Sequence, residues 1–436
     1  MAQLYPFTDP LLAEKQPPNA MVSGEGCWVV DRSGRRYLDA VSGLWCVSLG
    51  FSNERLIRAA ERQYRNLPYY HSFMGRTAEA TERLADALAS VLPAHINRVF
   101  FGCSGSDAVE TAAKLVRFYW NARGAPEKKK IIARDKAYHG SLSASAGLTG
   151  MDYCHDGFDL PGPDVLRVGR PSYFHDAEPG EGEHDFAMRR AGELEETILA
   201  VGADKIGAFI GEPVVGSGGV FPPPEGYWQA IQEVLKRHDI LLIADEIITG
   251  FGRTGAWFAS DKYGLTPDLM TTAKQLSSAY FPISAVGISE RVAAVIDPHA
   301  HDLGTLGHGL TYGGHPVGCA VALETLAVYQ EMDLPATIGR LAQRLTGGLE
   351  ALRDHPAIVD IRYSGLMAGV ELEARVKASE VSAAAERQGV LLRVIDNTLA
   401  ISPPYVISDQ EIDLVLSVLR ESIDAVVARQ PLREAV

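Results

Sequence analysis

The sequence predicts an α/β fold with a mostly parallel central sheet and a second, smaller α+β domain. From residue 76 onward, long helical stretches alternate with short apolar runs at residues 98–101, 130–133, 206–210, 240–244 and 283–286. Short strands separated by helices are typical of a parallel sheet that is covered on both faces. After about residue 325 the pattern changes to strand-like segments that end in one terminal helix, which indicates the second domain.

Segments on both sides of the large region predict the smaller domain. Residues 27–31 and 36–39 flank a Ser-Gly turn and predict a β-hairpin, whereas residues 1–23 are too rich in proline and polar residues to fold alone. Ser408 and Glu411 form a capping-box pattern that predicts the start of the terminal helix. Before that helix, strands are predicted at residues 358–363, 367–372, 389–394 and 398–402. We therefore expect three parts: an arm with part of the small domain at 1–65, the large domain at 66–325 and the C-terminal small domain at 326–436.

Composition and charge exclude several classes of partner. The chain has 41 basic and 55 acidic side chains, and its net charge of −14 offers no surface for nucleic acid or an anionic membrane. Five widely spaced cysteines argue against a disulfide framework and a zinc site, and they favour reduced thiols in the cytoplasm. We expect no metal, no signal peptide and no membrane helix, which would need about 18 consecutive apolar residues. The acidic stretch 176–185 predicts a solvated loop.

One glycine motif is misleading. Gly250, Gly252 and Gly255 match the dinucleotide-binding pattern G-x-G-x-x-G and follow an apolar strand. In dinucleotide-binding folds the glycines form the strand-to-helix turn itself, whereas residues 245–249 intervene here and a poor packing helix follows. The spacing therefore argues against a dinucleotide site.

Residues 102–107 (Gly-Cys-Ser-Gly-Ser-Asp) predict an anion site. They directly follow the strand 98–101 and directly precede a helix. Free backbone N–H groups and the positive end of the helix dipole favour a phosphate group at such a turn. A capped helix start without any ligand explains the same residues equally well.

Two charged residues lie where buried strands end. Asp245 ends an apolar run, and a buried carboxylate requires a cationic partner, either a ligand or a basic residue in a structural ion pair. Lys274 also ends an apolar stretch, and burial turns an amine into a nucleophile, although a lysine taken alone is more often at the surface. A phosphate cradle, a carboxylate for a pyridine nitrogen and a reactive amine are together what pyridoxal phosphate requires.

Seven segments extend this pattern over nearly the whole chain. They are residues 42–46 (SGLWC), 138–140 (YHG), 211–219 (GEPVVGSGG), 244–255 (ADEIITGFGRTG), 272–278 (TAKQLSS), 309–316 (GLTYGGHP) and 391–393 (LLR). Together they closely resemble the class III, or ω-, aminotransferases, which are pyridoxal-phosphate enzymes of fold type I. The resemblance also explains the misleading glycines as part of the family's loop after the aspartate.

The resemblance implies a role for each cofactor residue. Lys274 would hold pyridoxal phosphate as a Schiff base and then move a proton between substrate and cofactor, while Asp245 would pair with the protonated pyridine nitrogen. The other contacts would be Ser104, Gly105 and Ser106 at the phosphate, Thr311 of the partner subunit at the same phosphate, Tyr138 and Ile247 on the two ring faces, and His139 and Glu212 nearby.

The resemblance also implies where the substrate binds. An apolar wall for an aliphatic or aromatic group would consist of Leu44, Trp45, Phe73 and Tyr138. Arg393 would bind the carboxylate of a keto acid and swing aside for an amine without one. Without the resemblance, core packing would be the simpler explanation of Trp45 and Phe73, and a surface ion pair that of Arg393.

Three positions depart from the family's pattern. Asp107 replaces the usual glutamate, which shortens the acid of the helix cap and leaves its role open. Gln275 follows the lysine where glycine or asparagine is more typical, and Ala279 replaces a glycine, which would stiffen the turn beside Lys274. None of the three removes a catalytic group.

We expect an aminotransferase that moves an amino group from a primary amine or ω-amino acid to a keto acid, pyruvate, by a ping-pong mechanism, as amine:pyruvate transaminases do. It would act as a homodimer with shared active sites, and dimers could pair into tetramers. One alternative is a pyridoxal-phosphate decarboxylase or aminomutase on the same fold. A second is a vitamin- or dinucleotide-binding protein without catalysis, in which Lys274 would form no bond to the cofactor.

Overall fold

A computed structural model describes residues 3–429 of the protein. The strands in this part of the chain are β1 (Met21–Glu25), β2 (Trp28–Asp31), β3 (Arg36–Asp39), β4 (Ile96–Gly102), β5 (Lys130–Arg134), β6 (Val165–Val168), β7 (Ile206–Gly211), β8 (Leu241–Asp245), β9 (Leu269–Thr272), β10 (Ser284–Ser289), β11 (Ile358–Ser364), β12 (Met367–Leu372), β13 (Val390–Leu391), β14 (Arg393–Ile395) and β15 (Thr398–Ile401). The helices are α1 (Pro10–Lys15), α2 (Ser42–Trp45), α3 (Glu54–Asn66), α4 (Glu79–Val91), α5 (Gly105–Ala122), α6 (Ser143–Leu148), α7 (Tyr173–Asp176), α8 (Glu183–Val201), α9 (Tyr227–Arg237), α10 (Ala259–Tyr263), α11 (Glu290–Asp302), α12 (Pro316–Glu331), α13 (Leu334–Glu350), α14 (Ala378–Arg387) and α15 (Asp409–Arg429). Single 3-10 turns occur at Asp152–Cys154, Ala203–Lys205 and Lys274–Leu276.

The centre of the molecule is a seven-stranded sheet in the order β4-β10-β9-β8-β7-β5-β6. Only β10 runs antiparallel to its neighbours, so the predicted mostly parallel sheet is confirmed. Every residue of β7, β8, β9 and β10 is buried, because α5, α6 and α11 pack on one face and α8 and α9 on the other. No helix within residues 3–429 is long and apolar enough to cross a membrane.

Two four-stranded sheets complete the fold, in the orders β1-β2-β3-β13 and β11-β12-β15-β14. The predicted hairpin is confirmed, since β2 and β3 are antiparallel neighbours. Parallel pairing of β3 with β13 joins the N-terminal hairpin to the C-terminal part of the chain. The capping box before α15 is also confirmed, because the Ser408 N–H donates to Glu411 Oε2 (2.8 Å) and the Glu411 N–H donates to Ser408 Oγ (3.2 Å). The domain boundaries at 65 and 325 stay a prediction.

Two local predictions are corrected. The predicted strand 389–394 is split between two sheets, because β13 pairs with β3 whereas β14 pairs with β15. This break places Arg393 at the first position of β14. The predicted acidic loop 176–185 is shorter at both ends, because α7 includes Asp176 and α8 begins at Glu183. Asp176 is also less solvated than expected, since its carboxylate pairs with Arg170 (3.0 Å).

Candidate active site

The carboxyl ends of β7, β8 and β9 and the N-terminus of α5 surround a cavity of about 340 Å³. Open α/β sheets bind their ligands at this edge. The cavity contains nine of the ten predicted cofactor residues, Thr311 being the exception. Its lining residues are Cys103, Ser104, Gly105, Ser106, Tyr138, His139, Gly140, Glu212, Asp245, Ile247, Ile248, Ala273, Lys274, Ser277, Ala279, Phe281, Pro282 and Ile283.

Asp245 ends β8, and only 2% of the residue is exposed. His139 Nδ1 donates to its Oδ2 at 2.7 Å, while the Thr271 hydroxyl (3.1 Å) and the Ile247 N–H (3.2 Å) donate to Oδ1. These donors fix the orientation of the carboxylate. No lysine or arginine of residues 3–429 forms an ion pair with it, so the structural ion pair that the sequence left open is absent from that part of the chain.

His139 is buried beside Asp245, and its backbone N–H donates to Thr149 Oγ1 at 2.9 Å. The contact with the carboxylate uses Nδ1, and the buried Nε2 has no hydrogen-bond partner within the described residues. The imidazole therefore stabilises the Asp245 carboxylate and fixes its orientation. Direct contact of His139 with a cofactor stays a prediction.

Glu212 directly follows β7, is buried and lines the cavity. Its Oε1 accepts from the Tyr138 N–H (3.1 Å), and its Oε2 accepts from the Gly216 N–H (2.8 Å). Burial raises the pKa of this carboxyl group. Glu212 therefore holds the Tyr138 backbone in place.

Lys274 follows β9 after one intervening residue, Ala273, and has a left-handed backbone conformation, with φ of 47°. This conformation costs a residue with a side chain about 1–2 kcal/mol, and such strain collects at functional sites. Burial lowers the pKa of the amine, and the negative charge of Asp245 partly offsets this effect. Nζ has no hydrogen-bond partner among residues 3–429, which leaves the amine available as a nucleophile.

The N-terminus of α5 forms a capped turn with unused backbone donors. Ser104 Oγ accepts from the Asp107 N–H (3.2 Å), and Asp107 Oδ2 accepts from the Ser104 N–H (3.0 Å). Asp107 Oδ1 also accepts from the Ser284 hydroxyl (2.9 Å), so the shorter acid still completes the capping box whose role the sequence left open. Within the described part of the chain, the N–H groups of Gly105 and Ser106 have no acceptor. They can bind an anion at the positive end of an 18-residue helix.

Tyr138 and Ile247 line the same cavity, as expected of residues that would contact a planar ring. Ile247 packs directly on the start of α5, where a Cβ at Gly105 would lie only 2.9 Å from its Cδ1. Glycine is therefore needed at this position for close approach. Burial raises the pKa of the Tyr138 phenol, which keeps the ring neutral at pH 7.

Besides Arg393, four predicted residues do not line this cavity in the single chain. Leu44 is 64% exposed, and Thr311 is exposed with its carbonyl accepting from the Tyr69 hydroxyl (2.8 Å). Phe73 lines a separate surface groove. Trp45 is buried in the same hydrophobic cluster as Ile248, which itself lines the cavity. The roles predicted for these four residues stay predictions.

Arg393 lies near Tyr138 and Tyr153, on the side of the smaller sheets. Its guanidinium is half-buried, and this burial lowers its pKa, partly offset by the two tyrosines. The surface ion pair that the sequence left open is not found, because no acceptor within residues 3–429 binds this guanidinium. A desolvated cation without a partner favours an anionic ligand such as a carboxylate.

Several residues of the site were not predicted from the sequence. Tyr153, close to Arg393, lies in a 3-10 turn without any motif around it, so no sequence signal marks it. Phe281 reaches the cavity from the turn after Lys274, where its neighbours gave no chemical signal. Cys103, in contrast, belongs to the segment 102–107 and could have been named with it.

The residues present fit pyridoxal phosphate. The cavity combines free N–H donors for a phosphate, a buried and oriented carboxylate for a pyridinium nitrogen, and an unpartnered amine for an aldehyde. His139 Nε2 is a buried, unsatisfied polar atom of the kind that a bound molecule would contact.

Comparisons with known proteins agree with this arrangement. The family model described as aminotransferase class-III matches residues 12–423. The chain is 44% identical to gamma aminobutyrate transaminase 3, chloroplastic, from Solanum lycopersicum, over 94% of this chain and 81% of that protein. It is 42% identical to gamma-aminobutyrate transaminase 1, mitochondrial, from Oryza sativa subsp. japonica, over 97% of this chain and 84% of that protein.

Solved structures give the same result. The omega transaminase from Pseudomonas jessenii in complex with PMP has a TM-score of 0.96 and 42% identity, over 98% of this chain and 97% of that chain. A thermostable 6-fold mutant of the omega transaminase from that organism has a TM-score of 0.97 at 42% identity, over the same shares of the two chains. The chain therefore belongs to the class III aminotransferases, enzymes that transfer amino groups with pyridoxal phosphate.

Proposed function

We propose that this aminotransferase moves an amino group from a primary amine or ω-amino acid to pyruvate, by a ping-pong mechanism. The observation that carries the proposal is Arg393, a half-buried cation near Tyr138 without a protein acceptor among residues 3–429. A planar guanidinium binds a carboxylate through two parallel hydrogen bonds. The names of the solved neighbours, omega transaminases, support the same substrate class.

Several residues of the chain would share the chemistry. When bound, the cofactor would supply an aldehyde for the incoming amine and a ring that accepts electrons. Lys274 Nζ, whose pKa is lowered by burial, would accept the proton from the substrate carbon and deliver it to the cofactor. Asp245, oriented by His139 at 2.7 Å, would keep the proton on the pyridine nitrogen. Tyr138 and Ile247 would hold the ring plane perpendicular to the bond that breaks.

The two half-reactions place different demands on one pocket. A keto acid brings a carboxylate, whereas a simple amine brings an apolar group to the same place. Arg393 is the first residue of β14, and β13 ends just before it. The backbone of Arg393 therefore pairs with only one neighbouring strand, β15. It could therefore bind the carboxylate in one half-reaction and turn outward in the other.

We also propose a homodimer with shared active sites. Phe73 lines a groove of about 720 Å³ together with the segment that precedes Thr311, and both residues are accessible in the single chain. Exposed apolar grooves of this kind favour a protein partner. A second copy of the chain would bring Thr311 to the phosphate, and dimers could pair into tetramers.

The five free cysteines support a reducing compartment such as the cytoplasm.

The relatives suggest a second candidate substrate. Two of them are named gamma-aminobutyrate transaminases, and that compound is an ω-amino acid with a carboxylate at the far end. Arg393 could bind this carboxylate as readily as that of a keto acid. If simple primary amines are the donors, a donor without a carboxylate should react at a rate comparable to that of γ-aminobutyrate. If γ-aminobutyrate is the donor, a donor without a carboxylate should react more slowly.

A donor and acceptor panel tests the proposal. The purified protein should be yellow, should bleach when a primary amine is added and should recover its colour with pyruvate, because the amino group is stored on the enzyme between half-reactions. Initial rates should be compared for an arylalkylamine, an aliphatic amine and γ-aminobutyrate, each with pyruvate and with 2-oxoglutarate. Carbon dioxide release would support a decarboxylase, and an isomerised amine without any keto product would support an aminomutase. Either result would contradict the proposal.

Replacing Arg393 with leucine should separate the two half-reactions. We expect kcat/KM for pyruvate to fall by about 10- to 150-fold, the equivalent of about 1.5–3 kcal/mol for hydrogen bonds to a charged group. A donor without a carboxylate should change by less than about threefold on the same scale. Single-turnover bleaching and recovery measure the two halves separately. Arg375→Leu, which removes an exposed arginine paired with Glu373, is the control. Equal losses in both half-reactions would count against a carboxylate-binding role.

A further inference from the structure

The turn at residues 41–45 has an unusual backbone. Ser42, Gly43 and Trp45 all have left-handed conformations, with φ of 53°, 66° and 65°. Such conformations cost residues with side chains free energy, and they persist only where surrounding groups fix them. This turn carries Leu44 and Trp45, two residues of the proposed substrate wall.

The carboxylate of Asp39 fixes the first half of this turn. Its Oδ1 accepts from the Val41 N–H at 2.9 Å, and its Oδ2 accepts from the Gly43 N–H at 2.6 Å. The residue is 5% exposed, and no cation within residues 3–429 pairs with it. Both oxygens of this buried acid therefore accept from backbone N–H groups of one turn.

Groups from distant parts of the chain fix the same turn from the other side. The Ser42 hydroxyl donates to the Ser402 carbonyl at 2.7 Å, and Arg253 Nη2 donates to Ser42 Oγ at 3.4 Å. Trp45 belongs to the same buried hydrophobic cluster as Ile248, which lines the cavity. A displacement of the turn would therefore reach the cavity through this cluster.

The strand that bears Asp39 is also joined to the segment before Arg393. Asp39 is the register partner of Leu391 in the parallel pairing of β3 with β13, and the Ala40 N–H donates to the Leu391 carbonyl at 3.2 Å. Arg393 follows two residues later. Asp39 thus lies between the proposed apolar wall and the proposed carboxylate-binding arginine.

We propose that Asp39 is a positioning residue that determines substrate selectivity by holding the turn 41–45, and with it Trp45, in its strained conformation. The inference rests on the proposed function, because it concerns the substrate pocket of that site. Asp39 itself does not line the cavity, so it acts only through the turn.

Replacing Asp39 with asparagine tests this role. Asparagine has one acceptor oxygen, and its NH₂ group would face a second donor, so one of the two hydrogen bonds is lost. We expect the ratio of kcat/KM for an arylalkylamine to that for a small aliphatic amine to fall about tenfold, the equivalent of about 1.4 kcal/mol. We also expect faster backbone hydrogen exchange in residues 41–46, measured by mass spectrometry on the holoenzyme.

Asp31→Asn is the matched control. Asp31 ends the neighbouring strand, is 4% exposed and accepts from the N–H groups of Ser33 (2.8 Å) and Arg35 (3.0 Å). It therefore holds a turn as Asp39 does, but a turn outside the site. This variant should lose comparable thermal stability without a change in the selectivity ratio or in the exchange of residues 41–46.

Gly43→Ala provides an independent variant in case Asp39→Asn does not fold. Alanine keeps the N–H group but disfavours the left-handed backbone, and its Cβ would lie 3.4 Å from Val47 Cγ2. We expect the same fall in the selectivity ratio. Unchanged selectivity in Gly43→Ala, or equal changes in Asp39→Asn and Asp31→Asn, would overturn the inference. Absence of transamination by the wild-type enzyme would instead contradict the proposed function, and the exchange comparison would still show whether Asp39 holds the turn.

Discussion

Lys274→Ala is expected to remove both the colour of the protein and its turnover. Alanine supplies no amine for the aldehyde of pyridoxal phosphate and no base for the proton of the substrate carbon. Loss of the proton transfer alone would lower kcat by about 10²- to 10⁴-fold, and loss of the covalent attachment adds to this. The absorption spectrum and the rate of alanine formation from pyruvate measure the two effects. The N–H donors at Gly105 and Ser106 are unchanged, so the variant should still bind the cofactor, without a covalent bond.

Lys262→Ala is the matched control for this variant. Burial also lowers the pKa of Lys262, but its Nζ donates to the Thr254 carbonyl and the Ser364 hydroxyl, both at 2.9 Å, and it lies outside the cavity. We expect this control to lose thermal stability while it keeps its colour and turnover. Turnover retained in Lys274→Ala would exclude Lys274 as the catalytic amine.

Asp245→Asn is expected to give the second large loss. The amide can keep the shape of the carboxylate and accept from Thr271, but it carries no charge to hold a proton on the pyridine nitrogen. Its NH₂ group could also reverse the hydrogen bond with His139. Removal of one preorganised electrostatic contact typically costs about 10²- to 10³-fold in kcat. The colour should remain, since Lys274 is intact, and the bleaching rate with amine should fall by this factor.

Asp268→Asn is the control for a buried aspartate. Asp268 is 9% exposed, accepts from the Leu242 N–H (2.9 Å) and pairs with Arg291 (3.1 Å), away from the cavity. The variant should unfold at a lower temperature with turnover per folded enzyme unchanged. A similar fall in kcat for both variants would indicate that Asp245 acts through stability and not through the cofactor.

Local signals in the sequence predicted most of the central sheet. Strands β7 and β8 are continuous apolar runs, and such runs are stable only when both faces are covered. Lys274 and Asp245 stood out because each is a charged residue at the end of an apolar stretch, a position where chemistry and not packing explains the charge. The strand 389–394 was predicted as one element because most of its residues are apolar and no turn residue interrupts them; the split at Leu392 depends on partners from residues 36–39 and 398–401.

The sequence by itself determined the fold class, the capped turn at Ser104 and the placement of Asp245 and Lys274 at the ends of apolar stretches, because these follow from the order of apolar and polar residues along short segments. Only the tertiary structure decided how they meet. It placed His139 against Asp245, Tyr153 near Arg393, and Asp39 under the turn that carries Trp45. Each of these pairs joins positions whose contact depends on which strands pair and which helices pack, and no local pattern encodes that choice.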